Sequence, residues 1–446
     1  MNTNRLRFIL ILLLVHLSSA PLFAAQFNFT PSLLVSEEYT DNVFRDAEDE
    51  EDDFITSVGV SLAGEVQWQT AGLTFNYTPT YQFYADNSEL DDWRHGLNFL
   101  AYKEYKRNTR FEFRNAYLYT QDPGDSTDDE DRRRGVPSSI QSDRDRRGRE
   151  TYYTNESLAR VTHRFGEDDL VDGGLRYRLL RDVDLPQGVE ESDSDIWEPF
   201  LGLDYWFDVR WGVQLDGLYS NRDYTDRDDR EEYTGTARLR RRFTRHFNGF
   251  IEYRHTYLDF AEEVGNESDY TVYAPSVGIQ YQWEENANIR FGVGYYQQEF
   301  DDSNEDDENG VFLNADIFKT WPYRRGYVTL VGGSGYDVDD EGVDDNGFRL
   351  YYSAGLSAGY DFTRRLSGNV FSRYTYNDYP DAEEDDSDQT INAGAGLRYQ
   401  ALRWMDLGLQ YSFAKLISDD STDEYTENSV MFTVRVFPIH PFQLNR

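Results

Sequence analysis

The chain contains no cysteine, which excludes a disulfide framework, thiol catalysis and a lipid-modified N-terminal cysteine. Histidine is scarce at six in 446 residues. Long apolar runs are missing as well. The longest, "FILILLLV" at 8–15, is far short of the ~20 residues a membrane-spanning helix needs. Arg5 and Arg7 precede that run, and the small residues Ala20, Ala24 and Ala25 follow it. A basic start, a short apolar core and a small-residue exit define a secretory signal peptide. It is expected over 1–25, with cleavage after Ala24 or Ala25, leaving 26–446 as one domain. Positive charge is also in deficit: 44 Lys and Arg against 83 Asp and Glu give a formal charge of −39. So acidic a chain is not expected to bind nucleic acid, whose phosphates demand a basic face.

Aromatic residues, by contrast, are abundant: 34 Tyr, 29 Phe and 8 Trp. Disordered chains are poor in aromatics, so a fold is expected despite low mean hydropathy. The apolar residues are cut into alternating pieces. "LTFNYTPTYQFY" (73–84) sets Leu73, Phe75, Tyr77, Pro79, Tyr81 and Phe83 against Thr74, Asn76, Thr78, Thr80 and Gln82. "WEPFLGLDYWF" (197–207) and "LYYSAGLSAGYDF" (350–362) repeat the pattern, the latter with Leu350, Tyr352, Leu356 and Tyr360 on its apolar face. Period two means strands with opposite faces in different solvents.

Twenty such segments are predicted: 27–38, 54–69, 72–86, 92–105, 109–122, 150–164, 170–182, 195–207, 211–224, 231–243, 247–260, 268–283, 288–300, 310–321, 326–337, 347–362, 365–378, 388–400, 403–417 and 425–437. They exceed the usual soluble strand of ~5–6 residues. Their connections alternate in kind. "KRN" (106–108), "TRH" (244–246), "PYRR" (322–325) and "TR" (363–364) are short. "DNVFRDAEDEEDD" (41–53), "DDSNEDDE" (301–308) and "DYPDAEEDDSD" (378–388) are longer and acidic. Tight periplasmic turns opposite long outer loops mark an outer-membrane barrel. The fold class is therefore all-β: a transmembrane, antiparallel, up-and-down β-barrel of about 20 strands, or 18 if two segments merge. Its apolar faces meet lipid and its polar faces an aqueous lumen. Pro79 is expected at a bulge or bend, because it cannot donate to the ladder.

At 31–44, "PSLLVSEEYTDNVF", a first strand ending in "EEYTDNVF" runs into an acidic loop. This resembles the β-barrel porin family associated with exopolysaccharide and exosortase gene clusters. The resemblance implies an outer-membrane barrel taking part in polysaccharide secretion, partnered by a polysaccharide polymer and periplasmic export proteins, and no catalytic residues. A general or solute-specific diffusion porin is the alternative, followed by an adhesin-like or structural barrel. Lipid and lipopolysaccharide are the surrounding partners. Many such barrels end on an aromatic residue, whereas here "PIHPFQLNR" (438–446) follows the last alternating segment, leaving the assembly signal to Phe437 or Phe442.

Alternation assigns Arg110, Arg114, Arg160, Arg176, Arg178, Arg238, Arg240, Arg242 and Arg254 to the lumen. They form either an anion track for carboxylates, phosphates or sulfates, which the guanidinium fork binds bidentately, or a ladder satisfied by lumen acids such as Glu112, Asp172, Asp204, Asp216 and Glu252. Tyr84, Tyr102 and Tyr296 share luminal parity, although Tyr in such barrels gathers in interfacial girdles. The loop 123–149 holds seven acids and seven arginines and suits a constriction or a solvated excursion equally. "DVDDEG" (337–342) matches the start of a calcium loop but has Phe348 where the bidentate Glu belongs. No metal and no cofactor are expected. His95 and His255 fall on the lipid face and His163 and His246 at the turn end, so no hydrolytic triad and no enzyme activity is expected.

Overall fold

In the computed structural model of the chain, residues 25–122, 148–183, 185, 193–225, 228–261, 268–283, 286–301, 307–339, 347–380, 386–419 and 424–445 are described. The expected signal segment (all but Ala25), nearly all of 123–149 and the second half of the 337–342 acidic stretch lie outside the described residues.

The strands run β1 Gln26–Thr40, β2 Asp53–Gln67, β3 Ala71–Tyr84, β4 Asp92–Tyr105, β5 Thr109–Thr120, β6 Thr151–Arg164, β7 Leu170–Val183, β8 Ser194–Tyr205, β9 Trp211–Tyr224 and β10 Arg230–Arg242. They continue as β11 Phe247–Phe260, β12 Tyr270–Trp283, β13 Ala287–Phe300, β14 Glu308–Tyr323, β15 Gly326–Asp339, β16 Gly347–Asp361, β17 Leu366–Tyr379, β18 Asp386–Leu402, β19 Met405–Ser418, β20 Tyr425–Val436 and β21 Phe442–Asn445. Each strand from β1 to β20 pairs antiparallel with its chain neighbour, and β1 pairs in turn with β20 and β21. The sheet is thus a closed barrel of twenty strands, the fold read from the alternation. Among the described residues no helix is long and apolar enough to cross a membrane. Closure satisfies the ladder instead, since lipid offers no partner to a free edge.

Parity separates the solvents as expected. Leu201 (63 % exposed), Ile251 (63 %), Val277 (61 %) and Leu356 (51 %) point outward. Trp93 stacks with His95, which also stacks on Tyr77, in an outward aromatic cluster; Trp283 packs on His246 at the short-turn rim. These are the two girdles of a membrane barrel. At the turn "KRN", Lys106 and Arg107 take left-handed backbone, at φ 51° and 63°. Pro79 needs no bulge. The β2–β3 pairing lapses between Gly59↔Thr80 and Leu62↔Tyr77 and resumes in the same register.

Three features go beyond the expected layout. First, β21 pairs Phe442↔Phe29 through Asn445↔Gln26, whereas β20 ends at Val436↔Leu33. Six chain steps therefore face four in β1. The extra residues include Pro438 and Pro441, which have no N–H to give the ladder. The tail is not an appendage: it completes the seam, with Phe442 beside Phe29 at 6.5 Å.

Second, the "TDNVF" stretch latches that seam at the long-loop end. The Asp41 carboxylate accepts from the Asn428 backbone N (2.6 Å) and Nδ2 (2.8 Å). Asn42 Nδ2 donates to Thr426 O (3.1 Å), and Thr40 Oγ1 to Glu427 (3.1 Å). Arg45, at φ 60°, bonds Glu427 at 2.9 Å. Burial opposes the Arg45 charge, but Tyr425 and Glu427 beside it hold its pKa above the ordinary guanidinium value. Val43 turns inward against Ile55 and Tyr84.

Third, the top of the β15–β16 hairpin tucks inside the wall. β15 follows β14 only as far as Ala315↔Ser334 but stays with β16 up to Asp339↔Gly347. Ser334 lies opposite the outward Ala315, so Tyr336, Phe348 and Leu350 carry lipid-facing parity. Yet they are 3 %, 0 % and 6 % exposed. They pack on Leu258, Tyr270, Val272, Ala274, Tyr296 and Phe312, which are the inward residues of β11–β14. The assignment of Leu350 to lipid is thereby corrected. The wall overlaps itself, and the outer face of one strand pair seals an apolar patch on the inner face of another.

Candidate functional site: the lumen wall

A barrel of twenty strands at ~4.8 Å spacing and ~40° tilt measures about 40 Å between opposite backbones. Its lumen has two unlike walls, and the tucked hairpin stands in front of a third stretch. Packed sheets sit ~10 Å apart, so the tuck removes roughly that much from the bore on its side.

The charged wall runs from β5 to β11. All nine arginines assigned to the lumen occupy inward positions there, and eight of them have a carboxylate within ion-pair distance. Glu112 bridges Arg114 (2.6 Å) and Arg110 (2.9 Å). Arg160 meets Asp172 at 2.7 Å. Glu198 bridges Arg176 (3.3 Å) and Arg178 (3.1 Å), and Arg176 also faces Glu156 at 3.5 Å. Arg238 pairs with Glu252 and takes Gln214 as a second acceptor at 2.9 Å. Arg240 pairs with Asp204, and Arg242 with Asp168 at 2.9 Å. Arg254 differs: its guanidinium lies 4.4 Å over the Tyr336 ring and donates to Tyr336 O at 3.3 Å. It holds the tuck rather than facing the channel.

Exposure sorts the ladder. The Arg238 and Arg240 side chains are 8 % exposed, those of Arg160 and Arg176 45 % and 41 %. A buried pair stores mainly the cost of losing a partner, whereas the half-exposed arginines can exchange part of their pairing with a solute. The ladder is therefore divided by depth in the wall into buried and half-exposed pairs.

The opposite wall, centred on β18, is mostly small and uncharged. Ser353, Gly355 and Ser357 of β16 stand on its inward register with Asn369, Phe371 and Arg373 of β17, and the Phe371 ring takes the space above Gly394. Asn392, Gly394 and Gly396 follow on β18, and Gly408, Gln410 and Ser412 on β19. Arg398 is its main charge near the turns and is paired with Asp406.

Tyr84, Tyr102 and Tyr296 all face inward and belong to no girdle. Tyr84 receives Arg149 Nη1 at 3.2 Å, Tyr102 lies under Arg110 at 4.4 Å, and Tyr296 is sealed beneath Phe348 at 5.0 Å. Among the described residues no group of His, Cys, Asp and Glu is arranged to hold a metal ion. The missed partners, Glu156 and Glu198, stand on the same parity as the arginines they meet, so alternation alone could have found them.

This arrangement defines a class: an outer-membrane β-barrel with a polar, charged lumen, that is, a porin-type barrel. The chain belongs to the family described as "Putative beta-barrel porin 2", whose model matches residues 23–138 and 212–437. No curated protein matches the chain. Among solved structures it is similar to Pseudomonas aeruginosa OpdO, with 16 % identity, a TM-score of 0.41 and coverage of 92 % of this chain and 97 % of that one. It is also similar to Acinetobacter baumannii OccAB3 (11 % identity, TM-score 0.37, coverage 93 % and 99 %). A third similar structure is P. aeruginosa OpdK with vanillate (11 % identity, TM-score 0.40, coverage 92 % and 99 %).

Proposed function

We propose that this porin is a diffusion channel selective for small charged solutes. The observation that carries the proposal is the charged wall, a ladder of arginines and carboxylates facing a neutral wall across a bore narrowed by the β15–β16 tuck. Solutes with charge of either sign gain on one side of such a bore. Uncharged ones gain nothing there. Polysaccharide export, which the family resemblance had suggested, has no feature of its own among the described residues: eight of the nine lumen arginines pair with neighbouring acids, and the ninth, Arg254, lies on Tyr336. Gene context remains its natural test.

The tuck supplies the experiment. Tyr336→Asp together with Phe348→Asp places two charges in the apolar seal and expels the adjoining ends of β15 and β16 from it. Single-channel conductance in planar bilayers should rise at least twofold, with weaker discrimination between charged and neutral solutes in liposome swelling. Unchanged conductance in a correctly folded variant would remove the tuck from the conduction path, and a barrel that passes no ions would overturn the channel reading.

A further inference from the structure

A recess of about 480 Å³ opens in the charged wall on β6–β9. Two glycines let side chains close over the backbone beside it. Gly174 gives up its space to the Phe200 ring, which would lie 2.7 Å from an added Cβ. Gly202 sits between Asp172 and Asp216, whose carboxylate oxygens would be 2.9 and 3.1 Å from one. Register orders the lining in three tiers. Arg176 stands opposite Glu198 on the tier nearest the long loops. Phe200 and Leu218 are opposite each other on the middle tier. Asp172, Gly202 and Asp216 align on the tier nearest the turns.

The ends of the recess are not equally committed. Arg176 is 41 % exposed and only loosely held, at 3.3 and 3.5 Å from its two carboxylates. Asp216 accepts from Gln214 at 2.9 Å and has no arginine within ion-pair distance among the described residues. The upper end thus offers guanidinium hydrogens to an anion, and the lower end offers a cation the Asp216 carboxylate, since Asp172 there is paired with Arg160, with an apolar floor between. Positions 172 and 176 are four residues apart on one strand, roughly 13 Å at ~3.3 Å per residue. A compact zwitterion cannot touch both ends. An extended one can.

We propose that this recess is a binding subsite for zwitterions whose carboxylate and ammonium are separated by an apolar spacer of several carbons, such as ω-amino acids and short apolar peptides. The carboxylate meets Arg176, the spacer lies on Phe200 and Leu218, and the ammonium meets Asp216 beside Asp172. The subsite deepens the channel reading above and rests on it.

Saturation-transfer NMR on the detergent-solubilised barrel tests it, with ε-aminocaproate as the probe and caproate, n-hexylamine and glycine as controls. The zwitterion should bind at least tenfold more tightly than each control. Asp216→Asn and Arg176→Gln should each weaken it about tenfold, and Gly202→Val, which fills the recess, should abolish binding. Should that variant fail to fold, Leu218→Asn interrupts the floor without adding bulk and should weaken the probe. Equal binding of caproate or hexylamine, or binding indifferent to Asp216→Asn, would overturn the subsite. Potassium chloride conductance of the same preparation separates the two readings: a barrel that conducts but ignores ε-aminocaproate keeps its channel role and loses the subsite, whereas one that does not conduct loses the channel role itself.

Discussion

Across one lumen, the wall at β8 and the wall at β18 solve the same problem in opposite ways. Both face water, and both alternate with lipid-facing residues at period two. At β8 the inward positions carry Glu198, Gly202 and Asp204 amid Arg176, Arg178 and Arg240, tied across strands by ion pairs. At β18 they carry Asn392, Gly394 and Gly396, with Arg398 paired to Asp406 near the turns. The difference teaches that the charged wall is a coupled network of ion pairs and the neutral wall a set of positions linked loosely, as by the exposed Gln410–Ser412 hydrogen bond. Coupled groups fail together when one is lost; independent ones do not.

The largest effect should come from breaking a buried pair. Glu252→Ala leaves the Arg238 guanidinium, 8 % exposed, without its counter-charge, at a cost of about 3–5 kcal/mol. Ser412→Ala on the neutral wall should stay within about 0.5 kcal/mol. Urea unfolding of the barrel in lipid vesicles measures both. Similar costs at the two sites would erase the distinction between the walls.

Next in size is the seam. Asp41→Ala leaves the Asn428 N–H and side-chain amide without their acceptors, costing about 1–3 kcal/mol and shifting the heat needed to convert the folded band on a gel. Ser387→Ala, which removes an exposed hydrogen bond to Asp419, should not move it.

How much of this was legible beforehand follows from what alternation can and cannot encode. Period two determines which face a residue takes, so the twenty strands and the inward positions of all nine arginines could be read directly. It says nothing about whether a strand leaves its neighbour. The tuck of β15 depends on Tyr336 finding Phe312 and Arg254, contacts between elements far apart in sequence. Its local sign was present: inward parity on β12 and β13 is apolar at Val272 and Tyr296, which water alone would not favour, and "VGGSG" (331–335) loosens the strand just before the departure. The seam latch was visible as the motif "EEYTDNVF" but not as a latch, because its partners Glu427 and Asn428 lie at the other end of the chain. Pairing within the ladder was one of two readings, and only the distances could sort buried from half-exposed arginines.

The smallest effect concerns selectivity. Arg238, Arg240 and Arg242 each neutralise an acid, so replacing all three by Gln leaves Glu252, Asp204 and Asp168 uncompensated on the charged wall. The reversal potential under a salt gradient should move towards cations, and the shift should persist at physiological salt because two of the three sites are shielded from solvent. The neutral wall offers the control: Gln410→Ala changes no charge and should leave the potential where it was. Charge at the long-loop mouth behaves differently. Substituting the exposed Asp301 and Asp307 by their amides acts over a Debye length of ~8–10 Å, so its weakening of cation attraction should be visible at low salt and vanish near 0.15 M. If the triple variant instead fades with salt in the same way, its charges reach the solute through bulk water, and the charged wall is no more coupled than the neutral one.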